Sequence, residues 1–383
     1  MKPWAAAACA LLLAGCASAP APQRADTLFS DHLFKASSQR ISADDVFALD
    51  AEMKRYLGSE IAAVMRSKGS QRGLFDALHD RERLELEYDT TLTRNASEAF
   101  AARAGNCLSL VIMTAAFAKE MGIPVHYQNV FADETWSRSG NFYLSIGHVN
   151  LTLGRRSTAV DRNETDLTID FLPPRDIRSM HAWLIGENTI VAMYMNNRAV
   201  ESLTTGNTND AYWWARESVI QDPRFLSAYN TLGVVYQAHG NLWEAQQALE
   251  YVLQREPANT TAMSNLASVL YSRGQIAAAQ ELTRKLERAE PDPPFAYYKR
   301  GLAAMQAGDY KLAKDMFAKE VDRAAYYHEF QFWLALAYFG LGEMDQARTH
   351  MAIAVENSPT RKDHDLYAAK LERLRAYTPV IRR

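Results

Sequence analysis

A repeat of 34 residues governs the second half of the chain, from about residue 188 to residue 359. Small residues return at this interval in three series, of which the first two are Gly206, Gly240, Gly274, Gly308, Gly342 and Ala211, Ala245, Ala279, Ala313, Ala347. The third series is Ala199, Gly233, Ala267, Gly301, Ala335, and prolines stand at 223, 257, 291 and 359. Glycine lets the chain turn between paired helices, small residues let those helices approach closely, and proline ends the second helix. A fixed period of this length predicts an all-α solenoid.

This pattern resembles the tetratricopeptide repeat, with five units over residues 188–359. The resemblance implies an array that binds a protein or an extended peptide in a concave groove. Residues 360–383 are predicted to form a polar capping helix, from Lys362 to about Ala376, and a tail. The Trp213-Trp214 pair is predicted to pack at the junction with the first domain. Most aromatic residues of the array are expected to pack between helices, namely Tyr229, Tyr236, Tyr297, Tyr298, Tyr326, Tyr327, Phe330 and Trp333.

The first residues are typical of an export signal. A positive charge at Lys2 precedes an apolar stretch from Trp4 to about Leu13, which is too short to span a bilayer. The following Leu13-Ala14-Gly15-Cys16 resembles the lipobox of bacterial lipoproteins. The resemblance implies a signal peptide over 1–16, acylation of Cys16, and a lipid anchor on the periplasmic face of the outer membrane. The alternative is an ordinary signal peptide cleaved near Ala17-Ser18-Ala19. Residues 17–40 are predicted to be a tether.

Residues 41–187 combine helical and strand patterns and predict an α+β domain. Ser42 is expected to cap a helix whose first turn holds Asp44 and Asp45. A run of helix formers extends from Cys107 to Met121, where Gly122 and Pro124 stop it. Beyond it the apolar residues alternate, which predicts strands at 125–131, 147–153 and 167–172.

Cys107 is the candidate nucleophile of this domain. Cys9 and Cys16 lie in the leader, so no disulfide framework can form. A helix N-terminus favours thiolate over thiol, and Gly105 permits a tight backbone approach before it. A thiolate also needs a base and a residue that orients the base. His148, which shares a strand face with Asn150, and Asp170 on the next strand are candidates for these roles.

Three segments together resemble the bacterial transglutaminase-like superfamily of papain-like folds: Gly105-Asn106-Cys107-Leu108-Ser109, Gly147-His148-Val149-Asn150 and Ile169-Asp170-Phe171. The resemblance covers about residues 95–174. It implies that Cys107 is the nucleophile, His148 the general base and acid, and Asp170 the orienting carboxylate. Animal transglutaminases also use an upstream tryptophan in the oxyanion hole, and this chain has none between Trp4 and Trp136. Tyr88 is a candidate replacement.

Other polar residues are weaker candidates. His126 is expected to be peripheral, because His148 carries the family context. Asp161 and Asp166 compete with Asp170 but lie in a polar, loop-like segment. His181 and Trp183 are expected to pack rather than bind a ligand.

No metal or cofactor is predicted, because no His-x-x-x-His, Cys-x-x-Cys or glycine-rich phosphate loop occurs. The formal net charge of −3 and a pI near 6.3 argue against a nucleic-acid partner.

The sequence therefore predicts a membrane-anchored periplasmic enzyme that transfers acyl groups through a cysteine, with a repeat array for partners or substrate. Hydrolysis of an amide or peptide is favoured over transfer to an amine, because water outcompetes amines unless a second pocket is built for them. The alternative is a non-catalytic envelope scaffold, in which a degenerate transglutaminase-like domain and the repeats bind proteins.

Overall fold

The computed structural model describes residues 25–79, 84, 86–89, 92–131, 136–139, 142–145, 148–154, 166–171, 181–293, 295–325, 327–358 and 361–376. The predicted signal peptide with Cys16, residues 17–24 of the predicted tether, and Asp161 lie outside this part of the chain. Within it, no helix has both the length and the apolar character needed to cross a membrane.

A helix that is buried along most of its length forms the centre of the first domain. The helices of this domain are α1 (Ala51–Tyr56), a π-helical turn (Leu57–Ile61), α2 (Ala62–Lys68), α3 (Ser70–His79), α4 (Ala96–Ala102) and α5 (Cys107–Glu120). Every residue of α5 from Cys107 to Ala118 is buried, as expected of a helix that is apolar on all sides. The predicted helix over 107–121 is confirmed, with Met121 as C-cap and Gly122 at φ +69°.

The strands of the first domain are β1 (Glu87–Tyr88), β2 (Ala104–Gly105), β3 (Val125–Phe131), β4 (Trp136–Ser139), β5 (Phe142–Ser145), β6 (His148–Leu153), β7 (Leu167–Ile169) and β8 (His181–Ile185). Four of them form an antiparallel sheet in the order β7-β6-β3-β8, which packs against α5. The predicted strand at 125–131 is confirmed. The one predicted at 167–172 is shorter, since β7 ends at Ile169 and Asp170 follows it directly. The papain-like assignment of this domain stays a prediction.

The predicted helix start at Ser42 is wrong. Residues 43–46 form a turn closed by the Val46 N–H and the Ala43 carbonyl, 3.2 Å apart. Asp45 of this turn pairs with Arg40 at 3.0 Å. The first helix begins instead after Asp50, whose carboxylate accepts the Met53 N–H at 2.8 Å. Asp50 meets the capping requirement that Ser42 was expected to meet.

Residues 26–40, which we call the N-terminal strap, are folded against the repeats rather than extended as a tether. The Phe34 ring stacks on Tyr212 with centroids 4.0 Å apart. The Ser30 N–H lies 3.0 Å and 2.9 Å from the hydroxyls of Tyr212 and Tyr236. Leu28 is also buried, in the same core as these tyrosines. The strap therefore joins the start of the described chain to the first two repeats.

Five helix pairs and a capping helix make up the second half. They are α6 (Glu187–Thr204), α7 (Thr208–Gln221), α8 (Leu226–His239), α9 (Leu242–Arg255), α10 (Thr260–Ser272), α11 (Ile276–Ala289), α12 (Ala296–Gln306), α13 (Tyr310–Arg323), α14 (His328–Gly340), α15 (Met344–Glu356) and α16 (Arg361–Ala376). The five glycines of the first series all lie in the turns between paired helices, at φ between +73° and +93°. At Gly301, a Cβ atom would come within 2.6 Å of the Phe317 ring, so close helix packing requires glycine there. The predicted solenoid is confirmed.

The stack is interrupted between the third and fourth helix pairs, a place we call the 3–4 seam. One hydrophobic core runs from the strap through the first domain to Ala279 on α11, and a separate core begins at Phe295. Across the described residues, α11 and α12 make hardly any close contact, whereas the helices on either side pack normally. A proline-rich segment precedes Phe295, and α12 begins only at Ala296. The 34-residue period counted from Thr260, where α10 begins, predicts a start at residue 294.

Candidate functional site

Asn106 caps the helix on which the candidate nucleophile lies. Its side-chain oxygen accepts hydrogen bonds from the N–H and the hydroxyl of Ser109, both at 2.9 Å. Gly105 packs so closely that a Cβ atom would come within 2.7 Å of the Ser109 Cβ, which confirms the predicted close approach. Cys107 is therefore the first residue of α5, where unpaired N–H groups and the helix dipole favour a negative charge.

The structure brings Cys107, His148 and Asp170 together. His148 Nε2 lies 2.8 Å and 2.9 Å from the two carboxylate oxygens of Asp170. His148 also lies close enough to the Cys107 side chain for the two groups to shift each other's pKa. Because Nε2 is used by Asp170, Nδ1 is the nitrogen left for the sulfur. Asn150 donates from Nδ2 to Asp170 Oδ2 at 2.9 Å, which holds the carboxylate in place.

The pKa shifts of the pair favour a thiolate beside an imidazolium. Burial raises the pKa of the Cys107 thiol, but the hydrogen bond and charge of His148 and the N–H groups of Val149 and Leu108 outweigh it and lower the pKa overall. Burial lowers the pKa of His148, but the hydrogen bonds with Asp170 and Cys107 raise it from 6.5 to about 9. Each group therefore stabilises the charged form of the other.

Tyr88 completes the surroundings of the sulfur. Strand β1 runs parallel to β2, so that Tyr88 lies beside Gly105, two residues before the nucleophile. The Tyr88 hydroxyl lies next to the backbone N–H and the side chain of Cys107, both of which influence its pKa. Burial, with the charge of Cys107, raises the pKa of Tyr88 well above its ordinary value, so the phenol stays protonated. A backbone N–H and a phenol O–H are thus available at one point next to the nucleophile.

A polar ladder continues from this group across the sheet. Gln128 on β3 donates to the Thr152 hydroxyl at 2.9 Å, and Thr152 is 2.9 Å from the Thr168 hydroxyl on β7. Asn150 lies opposite Gln128 in the β3–β6 register and is buried. The residues that share a face with His148 are therefore polar and linked by hydrogen bonds.

The competing candidates lie elsewhere. His126 is placed opposite Thr152, at the other end of β6 from His148. Asp166 is exposed and precedes β7. Trp183 lies on β8 and is 50% exposed. The side chain of His181 lies outside the description. In the described part of the chain, no group of three or more His, Cys, Asp or Glu side chains is arranged to hold a metal ion.

The tryptophan pair lies at the junction with the N-terminal strap. Trp213 donates from Nε1 to the Lys35 carbonyl at 2.6 Å, and Trp214 donates to the Gln39 side chain at 3.2 Å. Buried aromatic residues of the array pack between helices as predicted, at Tyr229, Tyr236, Tyr298 and Phe330. Tyr326 lies outside the described residues.

Two family models of the tetratricopeptide repeat match the chain, one over residues 236–303 and the other over 298–362. The TPR repeat-containing protein YvcD of Bacillus subtilis (strain 168) is 26% identical over 155 residues, which make up 40% of this chain and 32% of YvcD. The chain thus spans about a third of the length of this curated relative. These matches confirm tetratricopeptide repeats, a kind of repeat that binds proteins and peptides.

Solved structures show similarity over just under half of the chain. A thermophilic TPR protein of Thermus thermophilus is 20% identical, with 47% of this chain and 99% of that one covered, at a TM-score of 0.29. YrrB, described as a TPR protein with an unusual peptide-binding site, is 18% identical, with 47% and 92% covered, at a TM-score of 0.25. TM-scores this low support no conclusion about function.

Proposed function

We propose that this protein is a cysteine-dependent enzyme of the bacterial envelope that breaks an amide by acyl transfer. The observation that carries the proposal is the chain of contacts from Asp170 to His148 Nε2 at 2.8 Å and from His148 to Cys107 at the start of a buried helix. In this geometry the ion pair supplies the Cys107 thiolate as nucleophile and the His148 imidazolium as proton donor at neutral pH.

The reaction follows from this arrangement. The Cys107 thiolate attacks the amide carbon, and the oxyanion accepts hydrogen bonds from the Cys107 N–H and the Tyr88 hydroxyl. His148 then gives its proton to the leaving amine, and a thioester remains on the sulfur. Water attacks the thioester while His148 takes its proton, which releases the acid and restores the thiolate. Asp170 keeps the imidazole oriented throughout.

The sequence resemblance to transglutaminase-like proteins supports the same chemistry. It matches Cys107, His148 and Asp170 in the family's order. In an animal transglutaminase the upstream oxyanion residue is a tryptophan, and here the hydroxyl of Tyr88 occupies the neighbourhood of the Cys107 N–H. We propose hydrolysis rather than transfer to an amine, because water is the acceptor in greatest supply.

The repeats and the leader define where this chemistry takes place. We propose that the array recruits a protein or peptide, either a substrate or a partner, and that acylated Cys16 anchors the chain to the outer membrane. Only residues 17–24, eight in all, separate Cys16 from the first described residue. Fully extended they reach about 30 Å. The N-terminal strap would therefore hold the first repeats close to the membrane surface.

Covalent labelling tests the activity. A thiol-reactive, amide-mimicking probe is expected to label the wild-type protein and the matched variant His126→Ala, but not Cys107→Ala. Mass spectrometry would locate the adduct on the peptide that contains Cys107. If neither the wild-type protein nor His126→Ala is labelled, or if Cys107→Ala is labelled equally, the proposed enzyme activity is wrong.

One observation favours a second function, that of a non-catalytic scaffold. Cys107 is only 5% exposed, and the Tyr88 hydroxyl lies against it. In this case the first domain would serve as a rigid mount for the repeats. A strain that carries Cys107→Ala would then behave like wild type. If the protein is instead an enzyme, the same strain should show the phenotype of a complete deletion.

A further inference from the structure

Thr93 is a buried residue that lies between the nucleophile helix and the first helix of the repeats. It is 1% exposed, precedes α4, and is part of no regular element. The mechanism above does not use it. All of its polar groups are nevertheless engaged, and their partners belong to two different parts of the molecule.

On one side, Thr93 holds the cap of α5. The Asn106 amide donates from Nδ2 to the Thr93 hydroxyl at 3.0 Å. The same amide accepts from Ser109 through its oxygen, so both of its ends are fixed. An asparagine side chain can turn over and exchange its oxygen for its NH₂ group. With Thr93 as acceptor for the NH₂ group, the oxygen must face the first turn of α5.

On the other side, three residues of α6 hold Thr93. Its N–H donates to Glu201 Oε1 at 2.6 Å, and its carbonyl accepts from Arg198 Nη1 at 3.2 Å. Asn197 Nδ2 donates to the Thr93 hydroxyl at 3.2 Å, on the same oxygen that Asn106 uses. Because α6 is the first helix of the array, the repeats fix both the backbone and the side chain of Thr93.

We propose that Thr93 is a positioning residue through which the first repeat helix sets the cap of the nucleophile helix, and with it the reactivity of Cys107. The inference rests on the proposed function, because it concerns the same thiolate. If the Asn106 amide turns over, its NH₂ group meets the N–H groups of the first turn, next to the sulfur. The helix start then stabilises the thiolate less well.

The test is the pH dependence of Cys107 alkylation by iodoacetamide in the full chain, followed on the Cys107 peptide. Thr93→Val keeps the shape and the backbone bonds but removes the hydroxyl oxygen. We expect alkylation at pH 6 to be about five-fold slower and the half-maximal pH to rise, given the usual size of cap and dipole effects. Thr93→Ser, which keeps the hydroxyl, should restore the wild-type profile.

Two further variants separate positioning from a general loss of stability. Thr114→Val removes a buried hydroxyl on the same helix that donates only to the Leu110 carbonyl, and it should leave the profile unchanged. Asn197→Ala, on the repeat side, should move the profile in the same direction as Thr93→Val and by a smaller amount. It also provides the test if Thr93→Val does not fold.

The outcomes distinguish the two proposals. If Asp170→Asn shifts the profile while Thr93→Val and Asn197→Ala do not, the positioning role is wrong and the proposed function stands. Equal shifts in Thr93→Val and Thr114→Val would also overturn the positioning role, because both shifts would then reflect loosened packing. If the thiol of the wild-type protein shows an ordinary profile that no variant changes, both proposals are wrong.

Discussion

Replacing Asp170 with asparagine tests the ion pair directly. Asp170→Asn keeps the size of the side chain but removes the charge that Nε2 of His148 contacts at 2.8 Å and 2.9 Å. The pKa of His148 is raised from 6.5 to about 9, a difference that corresponds to about 3 kcal/mol. The hydrogen bond with Asp170 is the largest single contribution that raises it, so the loss of the carboxylate should remove about half of this energy, or roughly tenfold in the ion-pair population.

The sign of the effect follows from the two pKa values. Without Asp170 the pKa of His148 falls, the imidazolium is lost at lower pH, and the pKa of Cys107 rises toward its ordinary value of 9.0. Iodoacetamide should therefore alkylate Cys107 about ten times more slowly at pH 6–7 than in the wild-type protein. Near pH 10 the two rates should converge, because the thiol then ionises without help.

Asp166→Asn is the matched control, since it changes an exposed aspartate just before the same strand. It should alkylate like the wild-type protein at every pH. If a folded Asp170→Asn protein is alkylated at the wild-type rate at pH 6–7, the reasoning is refuted, because the carboxylate then does not stabilise the imidazolium.

Four other outcomes can be measured. Tyr88→Phe should slow acylation of the nucleophile by an activated ester about 100-fold, the usual cost of one oxyanion donor, without slowing alkylation; equal acylation would rule out the donor role. Phe34→Ala should lower the free energy of unfolding by about 3 kcal/mol in denaturant titrations, against less than about 0.5 kcal/mol for the exposed Phe339→Ala. Gly301→Ala should cost about 1–3 kcal/mol, because a methyl group meets an aromatic ring, and an unchanged denaturation midpoint would contradict this. A chain that ends at Glu290 should remain folded and keep the alkylation profile, because its core is complete before the 3–4 seam; loss of helical circular dichroism beyond the removed helices would contradict it.

The repeats could be predicted well from the sequence because their physical requirements recur. A turn at positive φ is needed once per unit, and glycine satisfies it each time, as Gly240 at φ +93° and Gly274 at φ +73° show. The interruption at the 3–4 seam was not predicted. Pro291 predicts a unit end, and nothing in the period indicates that α12 starts late.

Local patterns also located Cys107 at its helix start and His148 on a strand, and they placed Asp170 in the neighbouring strand, although it directly follows that strand. The surroundings of the sulfur were harder to predict. Strand β1 has two residues, too few for any alternation to be read, yet it is what places Tyr88 beside the nucleophile. Thr93 has no local signal at all, because its partners on α6 are more than 100 residues away. Contacts of this kind depend on tertiary structure, and a sequence window does not contain them.

The N-terminal strap has a consequence for the order in which the molecule is completed during synthesis. Ser30 contacts Tyr212 and Tyr236, which follow it by 182 and 206 residues. At about 5–20 residues per second, a ribosome needs roughly 10–40 s to make this stretch. Until then the apolar Leu28 and Phe34 have no partner surface. The segment of the described chain that is made first is therefore among the last to reach its final place.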